Sequence, residues 1–439
     1  MVSPSSRGVP RSGSGTIGSG HGHGGRSGWI ERDSGETTGA GGLKIREDPT
    51  VLVEGLGPAS CGAHAKMLAI DGVAIAGDGV LGGTLKATKQ LHDSGQSLWL
   101  DNITRGILND GTLESYIRDY SVTGLTSNPS IFDKAIEQSQ DYDEFILRST
   151  KQGMSDEDLF FELAVQDLQR AADLFRPTYE RTDGVDGWAS LEVSPLLVHD
   201  APGTIREAAA LHTRSGRDNV FIKIPGTAAG ARAIEESIFG GVPINVTLLF
   251  SHEQYLVAAE AFMRGIERRI KAGLDPSVPS VASVFVSRWD RAVAEKVPTA
   301  LRNRLGIAVA KLAYAAYRNV LESDRWLRLS NAGARPQRLL WASTGTKDPD
   351  ASDVLYVEAL VAPFTINTIP DKTLEAFAQH GRVGDPLPVD GGDAEDVVTQ
   401  FANVGIDRRG LAEQLQNEGA EAFDESWKSL LASIGRKRS

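Results

Sequence analysis

The sequence is almost free of cysteine and contains no long apolar run. Its 439 residues include one cysteine, Cys61, which excludes an internal disulfide and a cysteine-based zinc site. The most apolar stretch, residues 68–84, carries Asp71 and Asp78 and falls short of a membrane span. The N-terminus lacks the apolar core of a secretory signal. We therefore expect a cytoplasmic protein that does not act at a membrane.

Basic residues are outnumbered by acidic ones, with 46 Lys and Arg against 58 Asp and Glu and a formal net charge of −12. Affinity for nucleic acid comes largely from neutralising phosphates, so this balance argues against nucleic acid as the main partner. A small phosphorylated substrate needs only a local basic pocket, so it is compatible with this net charge. The apolar fraction of 41% and the charged fraction of 24% are typical of a globular enzyme with a large core.

Glycine is unevenly distributed, because 21 of the 47 glycines fall in residues 1–84. That segment contains the stretch GSGTIGSGHGHGGRSG, which has the composition of a flexible linker. Such a segment cannot bury enough apolar surface to offset its ordering entropy. We predict a disordered extension over residues 1–84 and one folded domain over residues 85–439. We interpret His21 and His23, within the extension, as solvated rather than metal-binding.

After residue 85, short apolar runs alternate with amphipathic segments. The runs predict eight strands, over residues 97–102, 124–129, 187–193, 219–225, 244–250, 283–288, 338–344 and 365–370. The clearest helical patterns cover residues 156–175, 252–270 and 304–321, the second with Ser251 as N-cap.

This eightfold alternation predicts an α/β fold, namely a single (β/α)8 TIM barrel. Residues 371–439 would add helices packed outside the barrel. A doubly wound open sheet is the alternative. It usually shows an early glycine-rich phosphate loop, and no GxGxxG or GxxxxGK[ST] motif stands at a strand–helix junction here.

Polar side chains collect in the predicted strands or at their carboxyl ends. A TIM-barrel active site is built at that end of the barrel from residues of several strands. We therefore expect one site, formed by side chains that share this placement: Asp101, Asn128, Glu192, Lys223, Asn245, Thr247, Ser283, Arg288, Ser343 and Thr344.

Lys223 is the most informative of these residues. Strand alternation places Phe221, Lys223 and Pro225 on one face. Both faces of a barrel strand are covered, and a lysine is almost never fully buried unless it is paired. Desolvation favours the neutral amine, which can attack a carbonyl. An ammonium group that reaches the barrel rim or pairs with a carboxylate explains the position equally well.

Two carboxylates and a polar loop extend this interpretation. Asp101 and Glu192 could move protons in carbonyl chemistry, or they could form an ion-pair network that neutralises Lys223. Arg288 and the stretch STGTK at residues 343–347 supply the hydroxyls, glycine and cations that bind a phosphate monoester. An ordinary polar loop has the same composition.

Several segments together resemble the transaldolase family over residues 86 to 435. They are GQSLWLDNITR (95–105), GLTSNPSIF (124–132), FIKIPGTAAGARAIEE (221–236) and INVTLLFS (244–251). VASVFVSRWD (281–290) and LLWASTGTKDP (339–349) extend the match, and TINTIPDKTLEAF (365–377) fits the longer bacterial-type members.

The resemblance implies a class I aldolase-like TIM barrel of the pentose phosphate pathway, in carbohydrate metabolism. Such a transferase moves a dihydroxyacetone unit from sedoheptulose 7-phosphate to glyceraldehyde 3-phosphate, giving erythrose 4-phosphate and fructose 6-phosphate. It needs no metal or nucleotide cofactor. Two alternatives are a fructose 6-phosphate aldolase that releases free dihydroxyacetone and an inactive barrel that binds sugar phosphates.

The resemblance also implies roles for individual catalytic residues. Lys223 matches the Schiff-base lysine, and Asp101 matches the carboxylate that takes the proton from the C4 hydroxyl during carbon–carbon cleavage. Glu192 matches the acid that works through a bound water, and Thr247 helps to hold that water.

The substrate-binding residues follow from the same resemblance. Asn128 and Asn245 match amides that hold hydroxyls of the dihydroxyacetone unit, and Ser283 lies in the same pocket. Arg288 and Ser343 match phosphate ligands.

One departure from the family concerns phosphate binding. Some members carry an arginine two residues after the serine that matches Ser343, where this chain has Gly345. We take Lys347 as the candidate that supplies the missing charge. A monomer and a homodimer are both compatible with the sequence.

Overall fold

A computed structural model describes residues 86–150 and 153–438. Eight parallel strands pair in sequence order, and the eighth pairs with the first to close a barrel. They are β1 Ser97–Leu100, β2 Val122–Thr126, β3 Trp188–Glu192, β4 Val220–Pro225, β5 Ile244–Leu249, β6 Ser280–Phe285, β7 Gln337–Ala342 and β8 Ile366–Ile369. The predicted (β/α)8 barrel is confirmed. The extension predicted over residues 1–84, with His21 and His23, lies outside the described residues.

Helices surround the barrel and continue after the last strand. They are α1 Ala87–Asp93, α2 Arg105–Asn109, α3 Thr112–Asp119, α4 Pro129–Gln138, α5 Asp143–Thr150, α6 Asp156–Arg181, α7 Ala201–Ser215, α8 Ala228–Phe239, α9 His252–Lys271, α10 Ser287–Val293, α11 Leu305–Glu322, α12 Asp324–Asn331, α13 Leu355–Ala359, α14 Asp371–His380, α15 Ala394–Asn403 and α16 Arg408–Arg438. Across residues 86–150 and 153–438, no helix combines the length and apolar character of a membrane span.

The barrel strands bury both of their faces in two different layers. Val220, Ile222 and Ile224 of β4 pack with the surrounding helices, whereas Phe221 packs inside the barrel with Trp99 and Trp188. The rings of Trp188 and Phe221 are stacked with centroids 4.1 Å apart. Lys223 therefore shares the inner face, as the strand alternation predicts. The aromatic layer fills the lower barrel, and the polar residues occupy the space above it.

Local signals explain where several elements begin. Asn128 precedes Pro129, which suits the first helical turn because its φ is already helical and its missing N–H is not needed. The Asn128 Oδ1 accepts a hydrogen bond from the Ile131 amide at 3.1 Å, so Asn128 is the N-cap of α4. It does not end β2, as the predicted strand 124–129 implied. Ser251 caps α9 by accepting from the Gln254 amide at 3.2 Å, as predicted.

The sixth strand lies earlier in the chain than predicted. It covers Ser280–Phe285, and the segment from Ser287 forms α10. Arg288 consequently stands on a short helix above the barrel rather than at a strand end. The apolar residues 281–286 are compatible with several strand boundaries. Pairing of Ser280–Phe285 with Gln337–Ala342 selects one of them.

The C-terminal helices do more than cover the outside of the barrel. Helix α15 packs on α11, and α16 packs on α4, α5 and α6 as an outer layer. Helix α16 also contacts β5, and its Gln416 Nε2 donates hydrogen bonds to the Gly226 and Leu248 carbonyl oxygens at 3.2 and 2.9 Å. The helix thus runs across the carboxyl ends of two barrel strands, which corrects the prediction that residues 371–439 pack only outside.

Candidate active site

A cavity of about 120 Å³ opens at the carboxyl end of the barrel. Seven of the eleven predicted site residues line it: Asp101, Asn128, Lys223, Thr247, Ser283, Arg288 and Ser343. Thr344 does not line it, and its hydroxyl donates to the Thr368 carbonyl oxygen at 2.9 Å. They come from strands, from the N-cap of α4, from α10 and from the loop after β7. Glu192 and Asn245 lie directly beside this set, and Lys347 lies apart from it. The barrel therefore assembles residues that are far apart in the chain.

Lys223 is buried in the centre of the site, with 7% of its side chain exposed. Its Nζ donates a hydrogen bond to the Ser127 carbonyl oxygen at 2.9 Å and lies 3.5 Å from Glu192 Oε2. The two residues are register partners on β3 and β4. Burial raises the pKa of Glu192, and the nearby Lys223 opposes that rise. The amine thus has a proton acceptor at hand without a tight salt bridge.

Asp101 lines the same cavity as Lys223 and is half-buried. Thr126 Oγ1 lies 3.1 Å from Asp101 Oδ1 and 2.8 Å from the hydroxyl of Thr368. Burial raises the pKa of Asp101, and the charge of Lys223 is the main influence against it. Two carboxyl groups with raised pKa values therefore stand near one amine, which is an arrangement suited to proton transfer.

Amides and hydroxyls form an ordered array beside the lysine. Ser283 Oγ donates to Asn245 Oδ1 at 2.7 Å, and Asn245 Nδ2 donates to Ser190 Oγ at 3.1 Å. Asn128 Oδ1 accepts from the Ile131 amide and from Ser130 Oγ at 2.7 Å. These bonds fix the orientation of both amides, so their remaining polar atoms can hold the hydroxyls of a small polyol.

Three buried oxygens in the site have no close hydrogen-bond partner among the described residues. They are the two carboxyl oxygens of Glu192 and Thr247 Oγ1. Buried polar groups are normally satisfied, so such atoms call for a water or a ligand hydroxyl. Thr247 also lines the cavity. The pair is therefore suited to hold a water molecule near the lysine.

Arg288 is a half-buried cation without a carboxylate at ion-pair distance in the described ranges. Its guanidinium carbon lies 4.9 Å from the Phe285 ring centroid and 6.0 Å from those of Phe250 and Phe423. Burial among these rings lowers the pKa of Arg288. A desolvated cation held by aromatic rings is available to an anion.

Hydroxyl groups stand beside this cation at the start of the loop after β7. Ser343 has a φ of +57° and lines the same cavity as Arg288. Its Oγ lies 3.0 Å from Ser287 Oγ. Hydroxyl donors and a guanidinium at one end of the cavity are the groups that bind a phosphate monoester.

Lys347 is exposed and does not line the cavity that contains Lys223. It borders a neighbouring cavity of about 220 Å³ together with Arg291 and Ser287. A Cβ built on Gly345 would lie 3.8 Å from Lys347 Nζ. The ammonium group therefore reaches the space next to position 345, although it approaches from outside the cavity.

Several residues that line the cavity were not predicted from the sequence. They are Thr126, Ser130, Phe285, Ala342, Thr368 and Phe423. Thr126 and Phe285 stand two residues from Asn128 and Ser283 on the predicted strands 124–129 and 283–288, so alternation along those strands could have found them. Phe423 comes from α16, and no local signal in its helix distinguishes it from other apolar positions. Among the residues that the structure describes, no group of three or more His, Cys, Asp or Glu is arranged to hold a metal ion.

Comparisons with known proteins place the chain in one family. The sequence model of the Transaldolase/Fructose-6-phosphate aldolase family matches residues 98–434. A protein named Transaldolase from Thermobifida fusca is 43% identical over 358 residues, which cover 80% of this chain and 97% of the relative. A Transaldolase from Arthrobacter sp. is 43% identical over 356 residues, covering 79% and 96%. Transaldolase 2 from Nostoc sp. is 38% identical over 367 residues, covering 79% and 96%.

Proposed function

The chain belongs to the transaldolase/fructose-6-phosphate aldolase family and is a transferase, and we propose that it acts through a Schiff base on Lys223. In this proposal it transfers a dihydroxyacetone unit from sedoheptulose 7-phosphate to glyceraldehyde 3-phosphate. The products are erythrose 4-phosphate and fructose 6-phosphate. The observation that carries the proposal is the buried Lys223 amine, 3.5 Å from Glu192 and in one cavity with Asp101.

The first step joins the donor to the enzyme. The neutral amine of Lys223 attacks the ketone carbon, and loss of one water molecule leaves a protonated imine. Glu192 acts through a water that Thr247 helps to hold, giving a proton to the departing hydroxyl. Burial raises the pKa of Glu192, which is the direction that a proton donor in this role requires.

The second step breaks the bond between carbons 3 and 4 of the donor. Asp101 removes the proton of the C4 hydroxyl, which becomes the aldehyde of erythrose 4-phosphate. The electron pair of the broken bond moves toward the imine nitrogen, so the three carbons that stay on Lys223 form a neutral enamine. The protonated imine withdraws electrons as a metal ion would, and the proposed chemistry needs neither a metal nor a nucleotide cofactor.

The third step reverses the second with a new aldehyde. The enamine carbon attacks glyceraldehyde 3-phosphate, and Asp101 returns its proton to the aldehyde oxygen. Water then releases fructose 6-phosphate and regenerates Lys223. Asn128, Asn245 and Ser283 would hold the hydroxyls of the three-carbon unit between these events.

Phosphate recognition falls to the other end of the cavity. The Arg288 guanidinium and the Ser343 hydroxyl would bind the phosphate of donor and acceptor alike. We also propose that Lys347 adds a cation at the outer edge, where its Nζ approaches position 345. This placement suits sugar phosphates as partners, and we propose the cytoplasm as the place of action.

Borohydride trapping tests the Schiff base directly. The folded enzyme is incubated with fructose 6-phosphate and sodium borohydride, and its peptides are analysed by mass spectrometry. We expect a dihydroxyacetone-sized adduct on Lys223. Lys223→Met is the matched control, because it keeps an unbranched side chain without the amine. If correctly folded enzyme forms no adduct, or forms it on another lysine, the assignment of Lys223 fails.

A further inference from the structure

Helix α16 crosses the carboxyl end of the barrel, and contacts with other helices hold it on both sides. Near its start, Arg408 Nη2 lies 2.8 Å from Glu253 Oε1 on α9. Near its end, Trp427 makes an edge contact with Phe160 of α6 at a centroid distance of 5.0 Å, and Ser433 Oγ donates to Asp133 on α4 at 2.8 Å. The middle of the helix is therefore held over the cavity.

The backbone of α16 approaches the site closely at Gly419, where a side chain would not fit without a shift of its neighbours. A Cβ built on Gly419 would lie 2.9 Å from Leu248 Cδ2 and 3.1 Å from Arg288 Nη1. Such distances are tighter than normal van der Waals contact, so glycine permits this approach. The helix consequently rests directly on the guanidinium that is proposed to bind phosphate.

The helix also shapes the end of β5. Leu248 has a φ of +58°, a left-handed conformation that is unfavourable for a branched side chain. Gln416 of α16 holds the Leu248 carbonyl oxygen at 2.9 Å. Strained backbone persists where surrounding contacts enforce it, commonly at functional sites. Because Thr247 precedes Leu248, α16 supports the geometry of a proposed catalytic strand.

Phe423 faces the cavity from the underside of the helix. It is 8% exposed and lines the cavity together with Lys223 and Arg288. The cavity below it measures about 120 Å³, whereas small-molecule pockets usually measure about 300 Å³ or more. The space around Lys223 is thus narrow, and the phenyl ring helps to close it.

We propose that Phe423 is a specificity-determining residue that decides between transfer of the dihydroxyacetone unit to an aldose phosphate and its loss to water. This inference rests on the proposed Schiff-base function. Loss to water requires a proton to add to the enamine carbon. Water then adds to the resulting imine carbon, and dihydroxyacetone leaves with the Lys223 amine restored. By covering the fragment, Phe423 keeps water and its protons away until an acceptor aldehyde arrives.

Phe423→Ala tests the inference through the partition between the two outcomes. Two initial rates are measured with fructose 6-phosphate as donor. One is release of dihydroxyacetone without acceptor, and the other is formation of sedoheptulose 7-phosphate with erythrose 4-phosphate. We expect the ratio of release to transfer to rise by about tenfold or more, because removal of the ring admits water. Phe423→Leu keeps a large apolar side chain at this position, so its ratio of release to transfer should stay close to that of the wild type.

The matched control is Phe401→Ala on α15. Phe401 is 1% exposed and does not line the cavity, so this variant removes an equally buried phenyl ring without uncovering the fragment. We expect its ratio of release to transfer to equal that of the wild type. A parallel rise in both variants would mean that general loosening, rather than Phe423, admits water, and it would overturn the proposal.

Gly419→Ala provides a second test that keeps Phe423. The added methyl group would crowd Leu248 Cδ2 and Arg288 Nη1, so Leu248, Arg288 or α16 must shift, and we expect the ratio to rise in this variant also. If Phe423→Ala does not fold, Gly419→Ala carries the test. An unchanged ratio in folded Phe423→Ala or Gly419→Ala that still traps the adduct on Lys223 would refute the role of Phe423. Absence of the adduct in the wild type would instead refute the proposed function.

Discussion

Replacement of Asp101 by asparagine should separate formation of the Schiff base from cleavage of the carbon–carbon bond. Asp101 lies in the cavity with Lys223, and its proposed task is to take the proton of the C4 hydroxyl. An amide cannot take that proton. It can still accept the hydrogen bond from Thr126 Oγ1, which lies 3.1 Å from Asp101 Oδ1 in the native chain. We therefore expect the variant to fold and to bind substrate.

The expected loss follows from the role of the carboxylate. Removal of a positioned general base typically lowers the rate of the chemical step by about 10²–10⁴-fold, and we expect kcat to fall within this range. The melting temperature should change little. The substitution removes the free-energy cost of burying a negative charge at position 101, which is the effect that raises the pKa of Asp101. It also removes the attraction of that charge to Lys223.

The assay is borohydride trapping with fructose 6-phosphate, followed by mass spectrometry of the peptide that contains Lys223. The wild type should carry the three-carbon fragment, whereas Asp101→Asn should carry the intact six-carbon phosphate. Asp371→Asn is the control. Asp371 is a half-buried neighbour whose carboxylate accepts from Asn102 Nδ2 at 3.2 Å, and it does not line the cavity.

Two results would refute this reasoning. One is a three-carbon adduct that accumulates in Asp101→Asn as fast as in the wild type, since cleavage would then not need the carboxylate. The other is an equal loss of kcat in Asp371→Asn, which would show that the whole acidic region, rather than Asp101, supports the reaction.

Two further predictions concern the phosphate end of the site and the stability of the barrel. Arg288→Met should raise KM for fructose 6-phosphate by about 10–100-fold, the usual value of hydrogen bonds to a charged group. Trapping of dihydroxyacetone itself should hardly change, and an equal loss for both compounds would contradict the phosphate role. Asp290 is buried where the Leu305 amide and the Tyr356 hydroxyl donate to it at 2.9 Å each, and burial raises its pKa to about 6. The native state then keeps a proton that the unfolded chain releases, so this group's contribution to stability falls as pH rises from its ordinary pKa toward 6. As the pH rises from about 4.5 to about 7, the unfolding free energy of Asp290→Asn should increase by about 2 kcal/mol relative to that of the wild type. Parallel pH profiles of the unfolding free energy in the two proteins would refute the assignment.

Local patterns were sufficient for much of the barrel. Alternation along β4 placed Lys223 on the inner face because successive strand residues point to opposite sides, and this holds whatever the strand pairs with. The Ser-Asn-Pro stretch also holds a local signal for the start of α4 in the fixed φ of Pro129, but the predicted strand ran through it to residue 129. Cap and turn residues act within a few positions, so they are readable in the sequence.

The position of Arg288 could not be predicted without knowing how the strands of the sheet pair. Its predicted place at the end of a strand was wrong because the apolar run of β6 fits more than one register. Pairing with β7 selects the frame that ends at Phe285, and Arg288 then stands on α10 with its guanidinium 4.9 Å from the Phe285 ring. Register depends on hydrogen bonds to another segment of chain, and the composition of one segment cannot supply it.

By itself, the sequence determined the number and order of the strands, the inner face of Lys223, and the residue types that gather at the carboxyl end of the barrel. Each depends on periodicity or on chain order. Only the tertiary structure decided that Lys347 lies beside the cavity rather than in it and that Phe423 of α16 covers it. Both depend on packing between segments that are distant in the chain, as in the contact of Ser433 with Asp133. Such contacts are chosen by the shape and free energy of the whole folded barrel, which no local pattern encodes.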